Sequence, residues 1–449
     1  MIGKRKSWSS RLESLALTAL HAFPALYCRS RLLRPDTPAA FIVDAYREEL
    51  VAKLHAMPFW QRWLVVFIWP PAMVLMAIAQ TAVNGRHIAR RHHRSIAEQF
   101  SDQIRLAFAH GVPATYYYLF ELHDPQNRLR AHEYIYRGYL KAGGLYARLY
   151  RATPERGHKA KILNDKKAFS QFLMEHKLPA TRVIASVENG AFSYAKADRA
   201  ALPAINLFVK PRTENGGTGA ERWLYNKQKY RGSGKLLLDS GELSDHLAAL
   251  SRRQPYLIQE CLQNHHGLQD LSAGALSTLR IYTCWNEKGE VEHLFTMLRM
   301  SQDARSVVDN VCHGGLAARV DPATGTLGLA TDGATLARTR WLEAHPFTGA
   351  VIAGHHVPFW SEALNLAIAA HRQLKDPIFI GWDIAITEDG PVIVEGNKSP
   401  DIEIEQRLSG PWGNQRFGQL LVYHLKTAAT PIEHPSEDWP VGPAARSAA

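Results

Sequence analysis

Ile378–Pro400, IFIGWDIAITEDGPVIVEGNKSP, is the stretch whose reading decides the fold. Two apolar runs, Ile378–Thr387 and Pro391–Asn397, flank Glu388-Asp389-Gly390, and Asp-Gly between apolar runs marks a tight hairpin. Folding about an Asp389-Gly390 pivot sets Asp383 opposite Gly396, between Glu395 and Asn397. Those two share a strand face, because side chains alternate along a strand. Two carboxylates and an amide oxygen converging on one point form the hard-oxygen donor set that Mg²⁺ takes together with substrate phosphates. The competing reading is an ordinary exposed hairpin with acidic residues on its solvent face.

Outward from the hairpin, 449 residues leave room for about three domains, and 46% apolar residues supply their cores. Cys28, Cys261, Cys284 and Cys312 form no CxxC pair, which speaks against a disulfide framework or a zinc site and suits a reducing cytoplasm. The net charge of +11 is uneven: residues 1–94 hold 14 Lys and Arg against 5 Asp and Glu. Within that basic end, Leu64–Ala79, LVVFIWPPAMVLMAIA, follows Trp60, Arg62 and Trp63 and precedes Arg86, Arg90, Arg91 and Arg94. An apolar run rimmed by Trp and Arg points to a membrane surface rather than to nucleic acid. Pro70-Pro71 at its middle removes two helical donors, so a span, a re-entrant hairpin and an interfacial helix pair all stay open, beside a buried hairpin of a soluble domain. Residues 1–35 read as a basic amphipathic helix rather than a cleaved signal.

Ser95–Leu149 has helical periodicity and is rich in tyrosine, with Tyr116, Tyr117, Tyr118, Tyr134, Tyr136 and Tyr139 expected to pack rather than to stack on bases. From Lys161 short strands alternate with helices, RWLYNKQKY reading as one strand. Phe208-Val209-Lys210-Pro211 runs into RTENGGTGAE, a glycine loop with a lysine at its root that lacks the order of a P-loop. Arg280 and Arg299 alternate with apolar residues on LSTLRIYT and FTMLRM, ahead of the carboxylate hairpin. Phosphoryl transfer needs such cations around the transferring group.

In this order the motifs resemble the ATP-grasp superfamily: Lys166 in NDKKAFSQFLMEHKLP, Lys210 before its glycine loop, LIQECL, Arg280, Arg299, Asn310–Gly315 and the hairpin. The likeness is to glutamate-ligase-like members, and within the superfamily to the sugar-transfer-associated branch. It implies an α/β (α+β) fold of two subdomains gripping ATP, preceded by a mostly helical region. The expected division is 1–95, basic and apolar; 96–160, helical; 161–262, the small lid subdomain; 263–428, the large subdomain with the metal site; and 429–449, a loose tail. By the resemblance, Lys166, Lys210, Gly216, Gly217, Thr218 and Gly219 meet the phosphates of ATP. Gln259, Glu260, Cys261 and Leu262 line the nucleoside, and Arg280 and Arg299 act on the transferring group. Asp383, Glu395 and Asn397 hold Mg²⁺, with Mn²⁺ as the alternative. Asn310, His313, Gly314 and Gly315 are assigned to substrate. The chain departs from the pattern at Thr278, where an acid is usual, at Leu279, and at Gly396, where a β-branched residue is usual.

The implied activity is an ADP-forming carboxylate ligase passing through an acyl phosphate to an amine. Its substrate would be a small molecule or glycan precursor at the inner face of the cell membrane, in polysaccharide or envelope-precursor modification, with membrane contact through residues 1–95 and no nucleic acid partner. A kinase-like phosphotransferase and a non-catalytic ATP-binding membrane adaptor stand as alternatives.

Overall fold

The computed structural model describes residues 33–141, 143–196, 200–213, 219–232, 236–303, 314–333 and 340–429. Thr37 caps α1 (Pro38–Ala56) by accepting the Ala40 N–H, with Pro38 at the first helical position, where a missing N–H is tolerated. Helices α2 (Phe59–His92) and α3 (Ile96–His110) form a hairpin, and a capping box between Ser95 and Glu98 starts α3. Of the arrangements left open by Pro70-Pro71, the structure has the continuous helix: α2 runs unbroken through both prolines. Contacts with α3 hold it: Trp69, Met73 and Ala77 are buried, Gln103 donates to Thr81 at 2.7 Å, and Gln99 donates to the Gly85 carbonyl at 3.0 Å. Such packing outweighs the two lost backbone bonds. By length and composition α2 is able to cross a membrane. Several short helices follow, among them α4 (Arg137–Leu140) and α5 (Leu145–Ala152), and the region's tyrosines at 116–118, 134, 136 and 139 are all buried in packing.

Asp165 caps α6 (Lys166–Glu175) and leads into the first sheet. This holds β1 (Val183–Glu188), β2 (Ala191–Tyr194), β3 (Leu207–Pro211), β4 (Glu221–Asn226), β5 (Lys229–Arg231), β6 (Leu237–Leu238) and β7 (Tyr256–Glu260), in the order β2-β1-β7-β3-β4-β5-β6. Helix α7 (Ser240–Ser251) covers one face. The segment expected as one strand, RWLYNKQKY, is the β4–β5 hairpin. Lys227 and Gln228 both carry positive φ, the backbone that a two-residue primed turn requires even without glycine.

The second sheet contains β8 (Thr278–Trp285), β9 (Val291–Met300), β10 (Leu316–Val320), β11 (Leu327–Thr331), β12 (Trp341–Leu342), β13 (Phe379–Thr387) and β14 (Gly390–Asn397), in the order β12-β11-β10-β9-β8-β13-β14. Alternation divides its work between two faces. Leu279, Ile281, Leu298, Ile380, Trp382 and Ile384 point into a core closed by α8 (Trp360–Gln373) and α6. The other face carries Tyr282, Phe295 and Phe379 under the helical region and α10 (Arg416–Ala429). Thr278, Arg280, Arg299 and Asp383 lie on that same face, beyond the helical cover, where the two sheets and α9 (Glu403–Ser409) enclose a cavity.

Candidate active site

Register builds the site's floor. Met297 on β9 faces Arg280 on β8, Arg280 faces Asp383 on β13, and Asp383 faces Glu395 on β14. These four residues cross the sheet in one row at the usual strand spacing of about 4.8 Å. The hairpin register differs from the expected one: the turn is Glu388-Asp389, pairing Thr387 with Gly390, so Asp383 does not oppose Gly396. A regular ladder from that turn would set Asp383 against Val394 and point Glu395 away. A bulge between Asp383 and Ile384 shifts the pairing by one residue and turns Glu395 into the cavity, with Asn397 two residues further on the same face. Gly396, on the opposite face, is closely packed: a Cβ would meet Leu163 at 3.0 Å and Trp382 at 3.3 Å, so these side chains would have to give by a few tenths of an ångström.

Asp383 is the electrostatic centre of the row. Arg280 donates to it from Nε at 2.5 Å and from Nη2 at 3.1 Å, and Arg299 Nη2 lies 3.0 Å away. Burial works to raise this carboxyl, but the two guanidinium groups outweigh it and hold the group below the usual carboxylate range. Thr278 accepts from Arg299 at 2.6 Å and 3.1 Å. The hydroxyl thus orients Arg299 without neutralising it.

Two lysines face this row. Lys166 stands 3.6 Å from Glu395, and Lys210, at the end of β3, is buried. Asp165 ties them together: it caps α6 and takes both Nε and Nη2 of Arg212, two residues beyond Lys210. Burial pulls the Lys210 ammonium down to about 8, opposed by Glu395 and reinforced by Lys166. Phe208, Leu224, Leu262 and Met297 make an apolar end, next to Gln259, Glu260 and Cys261. The enclosed volume is about 1050 Å³.

Residues 146–411 match the family model described as "Sugar-transfer associated ATP-grasp". The chain belongs to this family. Members of the ATP-grasp family are ATP-dependent ligases. No curated protein matches the chain in sequence. Among solved structures, this ATP-grasp chain is similar to the ADP complex of purK, N5-carboxyaminoimidazole ribonucleotide synthetase, at 12% identity and a TM-score of 0.32, over 54% of this chain and 46% of that one. The chain therefore spans less than half the length of that structure. It is similar to D-cycloserine synthetase DcsG at 14% identity and a TM-score of 0.35, over 59% of this chain and 71% of that one. For the Bacillus anthracis D-alanine–D-alanine ligase complexed with ATP the values are 12% and 0.34, over 60% and 68%.

Of the residues that the sequence singles out in this ATP-grasp chain, eleven line one cavity: Lys166, Lys210, Gln259, Glu260, Cys261, Leu262, Arg280, Arg299, Asp383, Glu395 and Asn397. Gly216, Gly217, Thr218, Asn310 and His313 lie outside the described residues. Gly219, at φ +74°, ends the glycine loop beside the cavity-lining Ala220. Gly314 and Gly315 lead into β10 and are not among the lining residues. Sequence reasoning missed the cavity's far end, where Arg137 and Lys141 of the helical region meet Asp401 and Glu403, and where Glu405 also lines the cavity. Lys141 stands 3.2 Å and Arg137 3.5 Å from Asp401. The available signal was DIEIE at 401–405, three acids at alternate positions just after the hairpin.

Proposed function

We propose that the chain is an ATP-dependent, ADP-forming ligase that activates a carboxylate as an acyl phosphate and passes it to an amine. The row Arg280–Asp383–Glu395, faced by Lys166 and Lys210 across one cavity, carries this reading. It sets cations and hard-oxygen donors where phosphoryl transfer needs them, so catalysis is positioning and charge neutralisation. The apolar end between Phe208, Leu224 and Met297 suits an adenine ring, leaving the triphosphate to extend toward the lysines.

Two carboxylates and an amide oxygen make a donor set that fits Mg²⁺, and Mn²⁺ by the same chemistry. Asp383, Glu395 and Asn397 would hold the cation, which supplies charge neutralisation at the phosphates. Lys166 and Lys210 draw the γ-phosphoryl oxygens into line, and Arg280 and Arg299, both held on Asp383, stand ready for the negative charge that builds as the phosphoryl group moves. A sugar-linked substrate agrees with the family's description. We place the chain at the cytoplasmic face of a membrane, on the support of the apolar stripe of α2 described below.

Trapping tests this reading. With ATP, Mg²⁺, hydroxylamine and a pool of uronic, hydroxy and amino acids, the protein is expected to release ADP together with a hydroxamate, read by mass spectrometry. A stable phosphorylated acceptor, with no hydroxamate, would replace the ligase with a kinase.

A further inference from the structure

On the ligase reading, we infer that the far end of the cavity is the amine subsite, with Glu405 as the base that takes the amine's proton. Strand alternation sets the geometry: Arg280 and Tyr282 are two residues apart on one face of β8, so their side chains stand about 7 Å apart along the strand. Arg280 reaches Asp383 at the phosphoryl centre, while the Tyr282 hydroxyl donates to Glu405 and lies 2.5 Å from the Asp401 carbonyl. One strand thereby holds the phosphoryl-transfer cation and a buried acid side by side. Glu405 is 2% exposed, lines the cavity, and has no cation within 4 Å of its carboxylate among the described residues. Its direct partner is a phenol, and Arg280, the cation that acts on it from β8, is already held on Asp383, so an ammonium group entering the cavity adds a favourable counter-charge.

The groups around Glu405 come from four directions. Arg280 and Tyr282 face it from β8, Asp401 from the preceding segment, Glu403 from its own helix, and Tyr146 from α5. Arg137 and Lys141 stand behind Asp401, and Tyr116 donates to Glu403 at 2.5 Å. Burial pushes the Glu405 carboxyl up to about 7, against the hydrogen bond from Tyr282. A base is most effective with its pKa near the working pH.

The substrate class this wall selects is a primary amine that arrives as an ammonium. Glu405 takes one proton from the nitrogen, whose freed lone pair attacks the acyl carbon. The C–N bond forms, the bond from that carbon to the phosphate oxygen breaks, and phosphate leaves with that electron pair. It carries away the second N–H proton as hydrogen phosphate. Tyr282 is a positioning residue, holding Glu405 toward the nitrogen.

The test uses the full chain with ATP, Mg²⁺ and the same carboxylate pool, offering either hydroxylamine, which is already unprotonated at neutral pH, or methylamine, which is not. Wild type is expected to form both the hydroxamate and the methylamide, the methylamide rate rising with pH through about 7. In Glu405→Gln the methylamide rate falls by about 100-fold or more and loses that limb, while the hydroxamate persists. Tyr282→Phe shifts the limb and leaves it present. Equal rates of both products in wild type and Glu405→Gln would overturn the assignment of the base alone. Parallel loss of both products, in a variant that melts like wild type, would also overturn it. Absence of hydroxamate from wild type would sink the ligase reading itself.

Discussion

Two buried arginines depend on one carboxylate at the centre of the site. In Asp383→Ala, Arg280 and Arg299 keep their burial and lose their shared anion, a change that costs about 3–5 kcal/mol. Urea denaturation is expected to report that loss. Glu395→Gln removes a partly exposed contact at 3.6 Å from Lys166 and is expected to cost less than about 1 kcal/mol, while lowering ADP formation as severely. Catalytic and structural roles in the row thus separate between adjacent strands. Lys210 adds a pH signature. Its folded pKa of about 8 lies below its ordinary 10.5, so the folded state binds fewer protons between those values and stability climbs as pH rises through that window. Nucleotide phosphates favour the charged lysine, so ATP binding near pH 8 takes up protons. Calorimetry in two buffers of different ionisation heat should show the uptake, and Lys210→Met should abolish it.

Legibility in the sequence followed the range of the forces involved. The hairpin was readable from Asp389-Gly390 and its apolar flanks, and the inward arginines from strict alternation on β8 and β9, because both signals are local. Register was not, since the bulge that turns Glu395 inward leaves no local mark in PVIVEGN. Arg137 and Lys141 were hidden for a different reason: only tertiary packing brings α4 and the residue after it against Asp401, which lies far along the chain beyond both sheets. For α2, composition showed an apolar run with a basic, tryptophan-bearing rim and left its course at Pro70-Pro71 open, and the structure adds that it is one helix and which side faces out. Trp60, Trp63, Phe67, Leu75 and Ile78 are exposed along it, while Trp69, Met73 and Ala77 are buried against α3. An outward apolar stripe ending in Arg86, Arg90 and Arg91 suits the interface of an anionic bilayer. Changing Trp60, Trp63 and Phe67 together to Ser should lower co-sedimentation with phosphatidylglycerol vesicles about tenfold or more and leave the melting temperature unchanged. Equal sedimentation of both proteins would remove the membrane proposal.

The whole molecule is held together across the boundary at which the family match begins. One core runs from Ile42 and Tyr46 through Tyr117 and Tyr136 to Tyr282, Phe295, Phe379 and Trp412, so the helical region and the catalytic sheet bury one another. Polar contacts fasten the same seam: Gln406 exchanges hydrogen bonds with the backbone of Ile135 at 2.8 and 2.9 Å, the Gly413 N–H donates to the Glu133 carbonyl at 2.8 Å, and Arg407 donates to the Leu119 carbonyl at 2.6 Å. Gly413 is required there because a Cβ would sit 2.4 Å from that Glu133 oxygen. Buried backbone groups that lose such partners are costly, and so is the aromatic surface that separation would expose. A chain shortened to residues 146–429 keeps both sheets and the carboxylate row, yet it uncovers this core and loses Arg137 and Lys141 from the cavity. It is expected to lack a cooperative thermal transition and to bind a hydrophobic dye, whereas the full chain should unfold these two parts in one calorimetric step. A sharp transition and wild-type ATP affinity in the shortened chain would show that the helical region is a separate module resting on an independent enzyme.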